Sequence, residues 1–246
     1  MDTISSLWIG DRLSEMEQMA VVSFLKQGHP FELYTYNELA NVPLGTSIKD
    51  ANSILPQSDI FYNHGGGLSS FSDLFRYELL SKYSTWWVDM DVICLKPFVF
   101  CKENVFGIQG KYKDQSWVNG AVLKLEKHHA SAMFNLGKQK CKDMGIQNLC
   151  WADTGPFLLT KYVKQNKLES FAEEKKTFYP IEYVKYKRIF NGFLNTNAIV
   201  DSHAVHLWHE FSKNYPSVKE NSIYGVLKKR LLYPVKSFGP KSCRNT

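Results

Sequence analysis

SDLFRYELLSKYSTWWVDMDVICLKP, running from Ser72 to Pro97, reads as a helix followed by a strand that ends in acid. The first part is amphipathic at helical spacing and carries Asp73 and Arg76 three residues apart, neighbours on one helical face. A tight connection follows, then an apolar strand ending on Asp89-Met90-Asp91. Side chains alternate along an extended chain, so Asp89 and Asp91 are expected on the same side. Two carboxylates at the end of a buried strand are costly unless something cationic neutralises them. A doubly anionic set of oxygens suits Mn²⁺ or Mg²⁺, ions that commonly carry phosphates. On these residues alone the segment is either a metal–phosphate site or a turn with two solvated acids, and Asp73–Arg76 either part of that site or a surface ion pair worth a few tenths of a kcal/mol.

Upstream, Ile4 to Ile9 predicts a buried strand. Ser14-Glu15-Met16-Glu17 fits a capping box for a helix that ends at Gly28. Phe31 to Tyr36 predicts a second strand. A β-α-β start implies a parallel pair with a right-handed crossover, the opening of a nucleotide-binding α/β architecture. Ligands in such sheets sit at the carboxyl ends of strands, which places Trp8 and Tyr36 near a nucleotide; by itself, Trp8 is as well explained as core. Residues 37–63 read as irregular, punctuated by Pro43, Gly45 and Pro56. His64-Gly65-Gly66-Gly67 has neither the glycine spacing nor the lysine of a phosphate-binding loop. It reads as a flexible lead into a helix over residues 70–83, lining a pocket.

Downstream, Val105 to Ile108 and Val118 to Leu125 predict strands, with Asn119-Gly120 as a bulge carrying a buried amide. His128 to Lys142 predicts a helix, and Asp153-Thr154-Gly155-Pro156 a helix start with proline near the first turn. Residues 165–203 have poor periodicity but many aromatic residues, and Tyr183, Tyr186 and Phe190 are candidates to stack on sugar rings. Ala204 to His209, AVHLWH, reads as a strand with His206 and Trp208 on one side and His209 on the other. A neutral imidazole joins carboxylates readily around Mn²⁺. Ile223 to Leu232 reads as a short amphipathic helix.

At 246 residues the chain fits one large domain with a substantial core. Hydrophobic residues at 44% and charged residues at 22% are ordinary for a globular protein. No apolar run approaches the roughly 20 residues that span a bilayer. The start, MDTISSLWIGDRL, has no basic segment followed by an apolar one, so no secretory signal is expected. Five cysteines, Cys94, Cys101, Cys141, Cys150 and Cys243, are odd in number and lack metal-ligand spacing, which fits free thiols in a reducing cytoplasm. Residues 219–246 hold five Lys, two Arg and one Glu, a balance of +6 that equals the net charge of the whole chain. This divides the chain into a domain over residues 1–218 and a basic amphipathic tail over 219–246. Such a tail either solvates a helix or meets the acidic inner face of a membrane. No RNA-binding motif accompanies the basic and aromatic residues, so no nucleic-acid partner is expected.

Ser72-Asp73-Leu74-Phe75-Arg76, then Trp86-Trp87-Val88-Asp89-Met90-Asp91, then Pro97 resembles the signature of nucleotide-sugar glycosyltransferases with the GT-A fold. The likeness is to glycosyltransferase family 32 and its bacterial capsule and lipooligosaccharide relatives, with the glucosylating clostridial toxins more distant. One departure is Ser84-Thr85, where the family usually has Gly-Gly. The resemblance covers about residues 4 to 210. It implies an α/β, Rossmann-type GT-A domain with a mixed, mostly parallel sheet flanked by helices. It implies that Leu7-Trp8-Ile9 meets the nucleotide, with Trp8 stacked on uracil, and that Asp73, Arg76, Asn119 and Gly120 hold the donor sugar. Asp89 and Asp91 would be catalytic and, with His206, ligate Mn²⁺ (or Mg²⁺), Asp89 and Trp208 also touching the nucleotide. Asp153, Thr154 and Gly155 would lie on the acceptor side.

The expected activity is therefore metal-dependent transfer of a hexose from a UDP-sugar to a saccharide or lipid-linked saccharide, with retention at the anomeric carbon. Two rivals are a haloacid-dehalogenase-like phosphatase and a nucleotide-sugar-binding protein without turnover. The first also has Asp-x-Asp after an apolar strand, but would want Thr or Val in place of Ile93 and its motif near the N-terminus. Against the second stand the intact Asp73, Arg76, Asp89, Asp91 and His206. A glycosidase is excluded by geometry, because acids two residues apart share one ligand rather than flank a scissile bond.

Overall fold

The computed structural model describes residues 1–112, 115–192, 196–213 and 217–233. Strand β1 (Ile4–Trp8) leads to helix α1 (Glu15–Lys26) and back to β2 (Phe31–Thr35). The expected capping box is present: the Met16 N–H donates to Ser14 Oγ and the Ser14 N–H donates to Glu17 Oε2. β1 and β2 are parallel in register Ile4↔Phe31 to Trp8↔Thr35.

Residues 37–63 are less irregular than the sequence implies. They contain β3 (Thr46–Asp50), parallel to β2 at the sheet edge. Its residues, TSIKD, are mostly exposed, so it lacks the apolar alternation by which a half-buried strand is recognised. Backbone pairing to β2 and a cross-strand Lys49–Glu32 ion pair at 3.2 Å hold it in place.

Helix α2 (Ser69–Lys82) follows, then β4 (Trp86–Val88) and β5 (Val92–Cys94), the antiparallel pair β6 (Val105–Tyr112) and β7 (Gln115–Lys124), α3 (Lys127–Met144) and α4 (Pro156–Gln165). The remainder is short pieces, as its poor periodicity implied: β8 (Ala172–Glu173), single-turn α5 (Lys175–Phe178) and α6 (Lys187–Phe190), β9 (Ala204–His206) and single-turn α7 (His209–Ser212). Helix α8 (Ile223–Leu232) is the last element described.

Among the described residues the main sheet has the order β3-β2-β1-β4-β7-β6-β8. The first four strands are parallel, β4/β7 and β7/β6 are antiparallel, and β8 joins parallel to β6. β5 and β9 form a separate antiparallel ladder in which Val92 faces His206. This is the mixed, mostly parallel α/β fold expected.

The sheet separates two apolar layers. On one side α1, α8 and the β5–β9 ladder close over Trp86 and Phe98; on the other α2, α3 and α4 cover Trp87 and Phe75. Adjacent tryptophans on β4 thus supply one ring to each face, as the two-residue alternation requires. In α8 the residues Ile223, Leu227 and Leu231 are buried. Lys26 Nζ caps this helix by donating to the carbonyls of Arg230 and Leu231, and Lys228 pairs with Glu15 at 2.6 Å. Its apolar side therefore faces the domain, and residues 234–246 of the basic tail lie outside the described residues. No described helix is long and apolar enough to cross a membrane. The described cysteines, Cys94, Cys101, Cys141 and Cys150, are free.

Candidate functional site

The site lies where β4 ends. Asp89-Met90-Asp91-Val92 is a tight turn, its Val92 N–H donating to the Asp89 carbonyl at 3.1 Å, and not the extended segment on which the same-side expectation rested. The turn nevertheless brings Asp89 and Asp91 together with His206, each offering a ligand atom within 4.8 Å of the others. The β5–β9 ladder makes this possible. It begins one residue after Asp91, and its first pair is Val92↔His206.

Each acid is held separately. Asp89 Oδ1 accepts from Trp87 Nε1 at 2.7 Å and from Arg76 Nη2 at 3.0 Å. Asp91 Oδ2 accepts from the His209 backbone N–H at 2.8 Å and lies 3.1 Å from His206 Nε2. Burial pushes the Asp91 carboxyl up, but His206 and the His209 N–H outweigh it and leave it below the usual carboxylate range. The His206 Nδ1 is buried without a hydrogen-bond partner. His209 was expected across the strand. Its side chain does turn away, to Glu17 Oε1 at 3.4 Å, while its backbone reaches Asp91. Trp208 makes that reversal by adopting a left-handed backbone, φ 57°, uncommon for a bulky residue.

Asp73 and Arg76 are not a surface pair. They are 3% and 6% exposed and 3.4 Å apart, with Arg76 bridging to Asp89 and lying 5.1 Å over the Trp87 ring. Burial drives the Asp73 carboxyl up to about 6, against the pull of Arg76 and of Thr154. Gly120 and Gly155 leave the room this arrangement needs. A Cβ on Gly120 would collide with Arg76 Nη1, and one on Gly155 would stand 2.8 Å from Asp73 Oδ2.

Asp153, Thr154 and Gly155 lead into α4, with Gly155 at its N-cap. Thr154 is fully buried and donates to Asp73 Oδ2 at 2.8 Å, and its carbonyl accepts from Tyr77 Oη at 3.1 Å. Asp153 Oδ2 accepts from the Cys150 N–H at 2.8 Å and fixes the turn before α4. Thr154 and Gly155 thus lie against Asp73, between Trp151 and Pro156, which line the larger of the site's two cavities. Asn119 pairs with Gly107 at the edge of a bulge in β7; its Oδ1 accepts from the Ala121 N–H and its Nδ2 donates to Gln109 Oε1 at 2.6 Å. Gln109 carried no sequence signal, because it lies across the hairpin. Tyr179 carried none either; it is buried beside His206 and Trp208, and its hydroxyl accepts from the Val122 N–H.

Two cavities of about 660 and 370 Å³ meet at the acids, sharing Leu68, Ser69, Asp89, Asp91, His209 and Glu210. The smaller is bounded by Leu7, Trp8, Ile9 and Trp87. Trp8 ties its Nε1 to the Arg12 carbonyl at 3.0 Å. The larger contains Asp73, Arg76, Asn119, Gly120, His206 and Trp208, together with His64, Gly65 and Gly67 of the glycine run. Tyr36 lines neither cavity; its hydroxyl is bonded to the Leu55 carbonyl, because residues 51–55 fold back over the end of β2. Phe190 is also displaced from the expected sugar face, being 2% exposed and packed on Tyr224.

A family model described as the alpha 1,4-glycosyltransferase conserved region matches residues 147–231. Over this region the chain is similar to glycosyltransferases. The match takes in Thr154, Gly155, His206 and Trp208, whereas Asp73, Arg76, Asp89 and Asp91 precede it. Human alpha-1,4-N-acetylglucosaminyltransferase is 24% identical over 167 residues, covering 61% of this chain and 46% of that protein. The chain thus spans about half the length of this curated relative. Among solved structures, the PaToxG glycosyltransferase aligns with a TM-score of 0.49 at 15% identity, over 67% of this chain and 69% of that one.

Proposed function

We propose that this GT-A-like chain transfers a hexose from a UDP-sugar to a saccharide acceptor, with retention at the anomeric carbon as its motif resemblance implies. The observation that carries the reading is the convergence of Asp89, Asp91 and His206 beside the buried Asp73–Arg76 pair. Two carboxylates and an imidazole form a donor set suited to Mn²⁺, or to Mg²⁺ with added water. The hydrogen bonds to Asp89 both fall on Oδ1, which leaves its second oxygen for a cation. When bound there, a divalent cation neutralises the diphosphate and favours its departure.

The chain's own residues do the positioning. Trp8 offers a ring to the base in the smaller cavity, beside Leu7 and Ile9. Asp73 accepts hydroxyls of the donor sugar, and Arg76 sets the Asp73 and Asp89 carboxylates relative to each other, so the sugar meets a preformed geometry. Burial of Asp73, Arg76, Asn119 and Gln109 keeps bulk water from the sugar and strengthens each of these contacts. No side chain is needed as a covalent nucleophile; the leaving phosphate oxygen takes the acceptor's proton.

The relative's name makes UDP-N-acetylglucosamine and an α-1,4 linkage the first donor and product to try. The test is UDP release from UDP-galactose, UDP-glucose and UDP-N-acetylglucosamine, with and without Mn²⁺. Metal-dependent release from at least one donor is expected. Release from none of them, by a protein that melts cooperatively, overturns the reading.

A further inference from the structure

We propose that the mouth of the larger cavity is an acceptor subsite that holds a neutral sugar ring between Trp151 and the Tyr183–Phe211 pair. The inference rests on the donor reading above and adds to it the residues and the chemistry that select the second substrate.

The cavity has two chemistries. Its floor is polar and buried, with Asp73, Arg76, Gln109 and Asn119 each under 9% exposed. Its mouth is aromatic and open: Trp151 is 53% exposed, and Tyr183 and Phe211 are each 41% exposed. Single exposed aromatics are ordinary, but three around one opening mark a binding surface.

Both walls are fixed to the site. Tyr183 and Phe211 lie 5.6 Å apart with their rings inclined by 33°, and Tyr183 also packs on Trp208 at 6.1 Å. The Trp208 indole N–H donates to the Ile181 carbonyl at 2.8 Å, which braces the pair. Phe211 comes two residues after His209, whose N–H is held by Asp91. Trp151, which lines the same cavity, belongs to the turn that runs into Thr154, and Thr154 is bonded to Asp73. Each wall is thus referenced to a carboxylate of the site, and a ring held between them is set in place relative to the reacting centre.

A pyranose presents a face of C–H groups that complements the negative face of an aromatic ring, and directs its hydroxyls outward from the edge. A nucleobase would also stack on such rings, but Trp8 serves that purpose in the other cavity. The occupant assigned here is therefore a neutral saccharide.

The experiment uses the full chain with Mn²⁺ and UDP. Lactose, maltose, cellobiose and N,N′-diacetylchitobiose are titrated by saturation-transfer NMR, and UDP affinity is measured separately by calorimetry. At least one disaccharide should bind the wild type. Trp151→Ala and Phe211→Leu, the second keeping apolar bulk but no ring, should each weaken it about three- to tenfold, with UDP affinity unchanged. Undiminished disaccharide binding in both variants, no disaccharide binding while UDP binds, or loss of UDP affinity in place of disaccharide affinity would each overturn the subsite. If the wild type fails to bind UDP, the donor reading itself falls, and the subsite with it.

Discussion

Thr154 Oγ1 donates a 2.8 Å hydrogen bond to Asp73 Oδ2, joining residues 81 positions apart in the buried interior. A hydrogen bond to a charged group is worth about 1.5–3 kcal/mol. Thr154→Val keeps the shape and removes the donor. Affinity for the donor sugar should fall by about that amount at pH 7 while affinity for UDP alone is retained. Calorimetry with UDP and with the UDP-sugar gives both values, and equal losses for the two ligands would refute the role.

The Asp73 carboxyl is pushed from an ordinary 3.8 up to about 6. A raised value means that the folded protein holds this proton more tightly than the unfolded chain does. The associated stability is present below about pH 4 and is lost as pH rises through about 6. Asp73→Asn, permanently neutral, should therefore melt above the wild type at pH 7 to 8, the difference shrinking towards pH 4. Donor-sugar affinity of the wild type should rise over the same interval, because the ionised carboxylate is the form that accepts hydroxyls. Melting curves across this range test the sign, and a difference independent of pH would contradict it.

Asp91→Asn removes one of three ligands from the proposed cation site while leaving an amide oxygen for the His209 N–H. Mn²⁺ binding, followed by water proton relaxation, should be lost together with metal-dependent UDP release. The melting transition should stay cooperative. A variant that binds Mn²⁺ like the wild type would remove Asp91 from the ligand set.

Trp8→Ala should weaken UDP binding by roughly 1–3 kcal/mol, the usual range for a base stacked on an aromatic ring. Trp8 also ties its indole to the Arg12 carbonyl, so Trp8→Phe is the companion variant: it keeps a ring, loses that bond and should bind UDP better than Trp8→Ala. Equal affinities in wild type and Trp8→Ala would make Trp8 a packing residue only.

Gly120→Ala places a methyl group where Arg76 Nη1 now sits. Added bulk in a close-packed interior costs about 1–3 kcal/mol, and the group displaced here is the Nη1 that pairs with Asp73 at 3.4 Å. Turnover should drop at least tenfold while the circular dichroism spectrum is kept. Gly155→Ala, pressing on Asp73, should behave alike. Full activity in both would show that the buried ion pairs have slack.

What could be read from the sequence had periodic or acidic signals near in the chain. The capping box at Ser14, the amphipathic α2 and the apolar β4 all follow from residues within a turn of one another. Thr154 and Gln109 could not be read this way, since their roles come from Asp73 and Asn119 across the fold. Tyr36 differs again: strand topology pointed it at the nucleotide, while in the fold residues 51–55 come back and take up its hydroxyl. Strand β3 was missed because an exposed edge strand is specified by backbone pairing, which leaves no mark on side-chain pattern. The acids were found for a partly mistaken reason, since a turn brings Asp89 and Asp91 together and not the alternation of a strand.

The pairing of Val92 with His206 makes the site a record of folding accuracy. Slipping the β5–β9 ladder by one residue would bring Val205 or Leu207 opposite Val92, and would exchange every inward side chain for an outward one. Such a molecule could be as compact and as rich in secondary structure as the correct one, and bulk spectroscopy would not tell them apart. Its imidazole, however, would no longer stand beside Asp91. With a cation bound at the proposed site, titration with that ion would therefore count the correctly registered chains in a preparation, and the ratio of bound ion to protein would be a quality measure that a melting curve does not supply.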